Sequence, residues 1–228
     1  MKFLVVIPAR GGSKRLPKKN MKELGGKPLI YWTINFAFRL PLISDVILSS
    51  DDDSILKYGQ SFENLMLLKR GERLSTDTAS SADVVIDAIN WYESKGKTSD
   101  AVILLQPTSP FRDLIKITNA MYDFSLKGTS LVSVSPVKDH PNNTYKVIDG
   151  SLKKFSDVQE FGVRKQDLPE IYMPNGNIYI SSILKLKNTK TFNSEDSIPL
   201  IITSEIESID IDTEFDFNVA NIFISKYY

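Results

Sequence analysis

From Phe3 to Val134 short apolar runs alternate with stretches of helical periodicity. Phe3–Ile7 (FLVVI) is a continuous apolar run of strand length, which predicts a buried strand. Pro28–Leu40 puts Leu29, Trp32, Thr33 and Phe36 on one side of a helix. Asp45–Ser49 predicts a second strand, Asp51–Tyr58 a short helix and Asn64–Leu68 a third strand. Ser81–Lys95 carries Val84, Val85, Ala88, Ile89 and Trp91 at helical spacing. Ala101–Leu105 then predicts a strand, Asp113–Leu126 a helix and Ser130–Val134 a strand. This alternation predicts an α/β fold: a mostly parallel twisted sheet with helices on both faces. Such sheets gather ligands outside the carboxyl ends of their strands.

The pattern breaks between Asp139 and Pro174, where the chain turns polar and rich in turn residues. Asp149-Gly150 between two short extended runs predicts a β-hairpin with a type I′ turn. Asn177–Ser182 returns to strand, and Thr213–Ile224 predicts a closing amphipathic helix with Thr213 as its N-cap. The expected organisation is one nucleotide-binding-type α/β domain, residues 1–138 and 175–228, interrupted by an insertion at 139–174. Such an excursion suits a rim or a subunit contact.

Charge changes the picture only locally. Lys+Arg and Asp+Glu are 28 each, so the chain is no polycation built for nucleic acid. The absence of cysteine removes disulfides, thiol nucleophiles and Cys-ligated zinc. No run approaches the roughly 20 apolar residues that span a bilayer, so a cytoplasmic protein with no membrane partner is expected. Yet directly after the first strand, in "IPARGGSKRLPKKN", Arg10, Lys14, Arg15, Lys18 and Lys19 surround Gly11-Gly12 with no acid among them. The glycines allow a close backbone approach to a ligand. The cations would supply most of the attraction for a polyphosphate. Neither the P-loop nor the dinucleotide glycine pattern is present. From these residues alone, a phosphate site and a solvated basic loop both remain open.

The full string resembles the N-terminal signature of the acylneuraminate cytidylyltransferases, enzymes that activate sialic acids and related nine-carbon (nonulosonic) sugar acids as CMP-sugars. Further segments resemble the same family in the same order: "KRGERLSTDTASS" (Lys69–Ser81), "LLQPTSPFR" (Leu104–Arg112), "RKQDLP" (Arg164–Pro169), "NGNIYI" (Asn175–Ile180) and "IDIDTEFDF" (Ile209–Phe217). The resemblance implies a Rossmann-like nucleotidyltransferase fold with a β-hairpin dimerisation excursion, and hence a homodimer. It assigns the triphosphate of CTP to Arg10, Ser13, Lys14 and Lys19, and the cytidine to Asn20, Arg70 and Ser81. Ser81 has a competing reading as the N-cap of the helix after it. Arg15 and Lys18 are read as solvent-facing charge.

Asp210 and Asp212 lie two apart, so on a strand their carboxylates share a face. With phosphate oxygens and water they suit Mg²⁺, and the resemblance points to the same pair. Asp212 could instead cap the closing helix. Asp51, Asp52 and Asp53 open a predicted helix and are read as structural. Gln106, at the end of a strand, lies where a sugar acid would sit, with Thr108 and Ser109 as weaker candidates. By resemblance Arg164, Lys165 and Gln166 reach the substrate. Lys165 stands where many members have Arg, and Met173 where some carry Arg. An Arg-to-Lys change at a bidentate site is not conservative, which leaves a variant sugar acid open as substrate.

The expected reaction is in-line attack of the sugar's anomeric hydroxyl on the α-phosphorus of CTP, with pyrophosphate leaving. Arg10, Lys14, Lys19 and Asp212 would act by positioning and charge. No general base is evident, and His140, the one histidine, lies in the excursion beside Pro141. The alternatives are a cytidylyltransferase for the eight-carbon acid Kdo, or a catalytically silent nucleotide-binding protein. A nucleic-acid module is disfavoured by the zero net charge and the lack of a motif.

Overall fold

The computed structural model describes residues 1–76, 78–155 and 168–228. Strand β1 (Phe3–Pro8) leads through a basic loop and a small hairpin, β2 (Glu23–Leu24) and β3 (Lys27–Pro28), into α1 (Leu29–Ala37). There follow β4 (Ile43–Ser50), α2 (Asp53–Gly59), β5 (Leu65–Lys69), α3 (Ser81–Ser94), β6 (Ala101–Leu104), α4 (Leu114–Lys127) and β7 (Ser130–Pro136). A separate hairpin, β8 (Tyr145–Ile148) and β9 (Ser151–Lys154), precedes β10 (Tyr172–Ser182), α5 (Ile183–Thr189), β11 (Ile198–Ile201) and α6 (Glu214–Tyr227). Seven strands form one sheet in the order β11-β7-β10-β6-β1-β4-β5. All neighbours are parallel except β10, which runs against both β6 and β7.

Alternation along β1 builds the core. Phe3, Val5 and Ile7 face one side, with Ile30 and Ile34 of α1 and Met121 and Phe124 of α4. Leu4 and Val6 face the other, against Val85, Ile89 and Tyr92 of α3 and Leu186 of α5. Burial on both faces explains why β1 reads as an unbroken apolar run. A third cluster joins Phe217, Ala220 and Ile224 of α6 to Leu16, Leu24, Phe111 and Ile211. This cluster matters for the site, because Leu16 sits amid the loop cations and Ile211 lies between Asp210 and Asp212. Burying each is worth on the order of 2 kcal/mol, so apolar packing holds the basic loop and the acidic pair side by side.

One expectation needs correction, and two elements were not foreseen. Residues 210–212 are irregular chain rather than strand, where the Ile211 N–H donates to the Thr108 carbonyl (2.8 Å) instead of to a sheet neighbour. β11 and α5 were not legible in the sequence: the first is a four-residue edge strand containing Pro199, the second a seven-residue helix. The predicted hairpin is present, with Ile148 opposite Ser151 and positive φ at both Asp149 (50°) and Gly150 (73°). That is the type I′ geometry. Among the described residues no helix is long and apolar enough to cross a membrane.

Candidate active site

The loop after β1 is held from below. The Ala9 N–H binds the Ser49 carbonyl (2.9 Å), and the Gly11 N–H binds Asp51 Oδ1 (3.0 Å). A Cβ on Gly11 would meet Asp52 Oδ2 at 2.5 Å, whereas one on Gly12 would meet nothing within 4 Å. The two glycines therefore do different things. Gly11 is required by the β4–α2 turn beneath it, and only Gly12 faces open space. The acidic triplet is structural, as expected: Asp52 caps α2 by accepting from the Ser54 N–H (2.7 Å). Asp51 adds an unforeseen role as tether of the basic loop.

A left-handed residue, Lys18 (φ 53°), then starts the short 3₁₀ turn Lys19–Met21, which buries Asn20. Asn20 Nδ2 donates to the Arg10 carbonyl (2.9 Å). Its Oδ1 is buried without a protein partner, a condition that calls for a ligand donor or water. Asn20 lines a cavity of about 270 Å³ together with Arg10, Lys19, Arg70, Ser81, Gln106 and Thr108. Arg70 is fixed there by bonds from Nη2 to the Ser49 carbonyl (2.7 Å) and from Nε to Ser49 Oγ (3.3 Å). Burial draws its pKa below the usual guanidinium range, with Asp51 and Asp87 acting in the opposite sense. Ser81 is not a cap: Ser80 caps α3, accepting from the Asp83 N–H (3.0 Å). The Ser81 hydroxyl is thereby left to the cavity.

A second cavity of about 270 Å³ adjoins the first through Arg10, Lys19 and Asn20, and adds Ser13, Lys14, Arg15 and Asp212. Asp212 is not a cap either, because Thr213 and Asp216 form a reciprocal capping box on α6. The Asp212 carboxylate accepts from Lys19 Nζ (3.0 Å) and Arg15 (2.5 Å), so Arg15 belongs to the charge cluster rather than to solvent alone. Lys19 Nζ also binds the Ile211 carbonyl (2.7 Å). Asp210 is partly desolvated by the walls around it, which raises its carboxyl above the ordinary range. A hydrogen bond with Thr108 opposes the rise and the Asp212 charge adds to it.

Asp210 opens onto a third cavity, of about 410 Å³, with Gln106, Lys138, Met173, Asn175 and Tyr179. Gln106 lines both this cavity and the first. Its side chain rests on Gly176, where a Cβ would approach Oε1 to 2.7 Å and where φ is +77°. Behind it the fully buried Arg112 donates to the Gln106 carbonyl (2.7 Å), the Asn177 carbonyl (2.8 Å) and Thr33 Oγ1 (3.0 Å). Burial pushes its pKa down to about 10, so it stays cationic at neutral pH.

Thus Arg10, Ser13, Lys14, Lys19, Asn20, Arg70, Ser81, Gln106, Thr108, Asp210 and Asp212 surround one connected groove at the carboxyl end of the sheet. Arg164, Lys165 and Gln166 lie outside the described residues. The sequence motifs give no role to Arg112, Lys138 or Tyr179. Asn175 and Gly176 sit in a segment that resembled the family but had no role assigned. His140 caps a short 3₁₀ turn by accepting from the Asn142 N–H (3.2 Å). A cavity of about 490 Å³ beside α3 is larger, but contains none of the predicted residues and mixes Asp83 and Asp87 with Lys187 and Lys190.

A mostly parallel sheet with a basic loop at its carboxyl edge, a buried amide acceptor and a facing pair of acids defines a nucleotide-binding α/β protein. The chain belongs to the cytidylyltransferase family, which matches residues 4–180. It is 40% identical to the CMP-N,N'-diacetyllegionaminic acid synthase of Legionella pneumophila, covering 95% of this chain and 94% of that one. It is 34% identical to an N-acylneuraminate cytidylyltransferase of Streptococcus agalactiae, over 95% of this chain but only 52% of the longer relative. A pseudaminic acid cytidylyltransferase of Campylobacter jejuni is 30% identical, with 97% and 96% covered. Among solved structures, a CMP:2-keto-3-deoxy-manno-octonic acid synthetase in complex with CTP matches with TM-score 0.70 at 17% identity, covering 100% of both chains. A 4-diphosphocytidyl-2C-methyl-D-erythritol synthase matches with TM-score 0.67 at 10% identity, covering 98% and 99%. At those identities the structural matches speak for the fold alone.

Proposed function

We propose that the protein transfers CMP from CTP to the anomeric hydroxyl of a nine-carbon, sialic-acid-like sugar acid and releases pyrophosphate. The observation that carries this reading is the connected groove: a cation-rich pocket joined through Asn20 to a base-sized pocket, and through Gln106 to a third, larger one. The curated relatives, named for diacetyllegionaminic, N-acylneuraminic and pseudaminic acids, support the same chemistry. The unpartnered Asn20 Oδ1 suits the exocyclic amino group of cytosine, a donor. Arg10, Ser13, Lys14 and Lys19 would hold the triphosphate, with Arg70 and Ser81 on the cytidine. The acceptor would enter the third cavity, so that Gln106 lies between the reactants.

The donor set fits a divalent cation of the Mg²⁺ type. Asp210 and Asp212 are two hard oxygen donors that repel each other. Among the described residues there is no group of three or more metal-ligating side chains. A cation there would thus complete its shell with phosphate oxygens and water, as Mg²⁺ commonly does. Bound, it would supply charge neutralisation at the phosphates. The chain's own contribution is independent of it: Lys19 and Arg15 bring positive charge to Asp212, and the Arg112 bond holds Gln106 in place. The β8–β9 hairpin presents Val147 and Leu152 opposite each other and 74% and 69% exposed, which supports a second copy of the chain as its partner. A cytoplasmic homodimer completes the reading.

The test is pyrophosphate release from CTP and Mg²⁺ with N-acetylneuraminate, legionaminate, pseudaminate and Kdo offered separately. Asp212→Asn should lower kcat by roughly a hundredfold or more while the protein still binds CTP. Release with Kdo alone would return the eight-carbon alternative. CTP binding with no release for any acid would favour the silent nucleotide-binding protein.

A further inference from the structure

We propose that the outer wall of the third cavity selects sugar acids bearing a second N-acyl group, by burying the acyl methyl against an apolar strip at the β7–β10 junction. This inference rests on the reading above, in which that cavity receives the acceptor.

The strip consists of Pro136, Val137, Met173 and Pro174. It is the end of an antiparallel ladder in which Tyr172 lies opposite Pro136 and Met173 opposite Ser135. Hydrogen-bonding capacity is scarce along it. Pro136 and Pro174 have no N–H. The N–H of Val137 is engaged by the Ile171 carbonyl (3.0 Å). Lys138 and Asp139 follow Val137 along the chain and are charged groups on the same cavity wall, while Ser135, Asn175 and Ser208 are engaged with their neighbours, Ser208 Oγ with Ser135 Oγ at 2.7 Å. Ser135 Oγ donates to the Ile202 carbonyl (3.0 Å) and accepts from Asn175 Nδ2 (2.8 Å). Asn175 Oδ1 in turn accepts from the Asn177 N–H (3.1 Å). A sugar hydroxyl placed against this strip gives up water and finds little in return, which is unfavourable. A methyl group placed there removes apolar surface from water on both sides.

Met173 completes the argument. It is 54% exposed on a strand beside the cavity, an unbranched thioether that can fold over an irregular apolar group. The inner end of the same cavity differs in kind: Gln106, which it shares with the nucleotide-side cavity, and Asp210 are both polar. A bound acid is therefore oriented with its reacting end inward and an acyl group outward along the strip.

The experiment compares kcat/KM for three acceptors with the wild-type protein: N,N'-diacetyllegionaminate, the same acid with a hydroxyl in place of the second acetamido group, and the same acid with formyl in place of the second acetyl. The diacetyl acid should exceed the hydroxyl analogue roughly tenfold or more. The formyl analogue, which keeps the amide but lacks the methyl, should lose most of that advantage. Met173→Ser and Met173→Arg should collapse the ratio through KM for the acceptor, with the CTP Kd by calorimetry within about twofold of wild type, the size of effect expected for a residue outside the nucleotide pocket. Equal kcat/KM for the three acceptors, formyl matching acetyl, or an unchanged ratio in a folded Met173→Ser protein would each overturn the inference while leaving CMP transfer intact. No pyrophosphate release with any acceptor would instead remove the functional reading on which it stands.

Discussion

At the residue scale, the paired glycines separate two demands that a sequence presents as one. Gly11 has no room for a Cβ, with Asp52 Oδ2 2.5 Å from where it would stand, while the space around Gly12 is open. Gly11→Ala should cost about 1–3 kcal/mol through overpacking, read as a shift in the urea midpoint. Gly12→Ala should leave the midpoint nearly unchanged and raise the KM for CTP, because Gly12 directly precedes Ser13 in the cavity wall and a methyl there hinders close backbone approach to the phosphates. Equal destabilisation by both substitutions would refute the division. Arg112 is the other residue whose role the fold alone reveals. It binds three neutral oxygens on three different segments; Arg112→Met takes this donor from all three, and although the Gln106 carbonyl keeps the Ser109 N–H (3.2 Å), each buried acceptor left without another donor costs about 1–3 kcal/mol. Thermal melts of Arg112→Met and Arg112→Lys should both fall, with lysine recovering only part, since a single ammonium cannot reproduce the fork.

At the scale of elements, the capping box on α6 does more than end a helix. Thr213 and Asp216 fix the chain immediately after Asp212, and the Asp212 N–H itself donates to Asp216 Oδ2 (3.1 Å). Thr213→Ala should lose about 1 kcal/mol in denaturant melts and also raise the KM for CTP, since the acidic segment loses its anchor. A stability loss with an unchanged KM would detach the cap from the site. Legibility in the sequence follows the same physics. The capping residue, the doubly buried β1 and the amphipathic α3 were readable because short-range chemistry and periodicity determine them. So were the residues of the groove, through motifs whose cations and acids face one another across 190 and more positions, as Lys19 and Asp212 do. Ser80 rather than Ser81 as cap, the irregular chain at 210–212, and the edge strand β11 were not. The cap turns on a one-residue choice of helix start that two adjacent serines leave open, and the other two depend on tertiary contacts, the bond to Thr108 and pairing with β7.

At the scale of the whole molecule, a chain with 28 cations and 28 anionic side chains nevertheless concentrates positive charge where the triphosphate is proposed to bind. Arg10, Lys14, Arg15 and Lys19 line one cavity, and Asp212 is the one acid among its lining residues. With zero net charge there is little long-range attraction for a tetra-anionic nucleotide, so the local cluster must supply it. The screening length falls from about 10 Å at 0.1 M salt to about 3 Å at 1 M. The Kd for CTP should therefore rise about fivefold or more between low and half-molar salt, measured by calorimetry without acceptor. The melting temperature should move little over the same range, because surface ion pairs such as Lys69–Asp53 and Lys187–Glu93 contribute little to stability. Cytidine, with the same base and no phosphates, provides the control: its weaker binding should be nearly independent of salt. If CTP and cytidine respond alike, the triphosphate does not lie among these cations, and the basic loop is solvated charge after all.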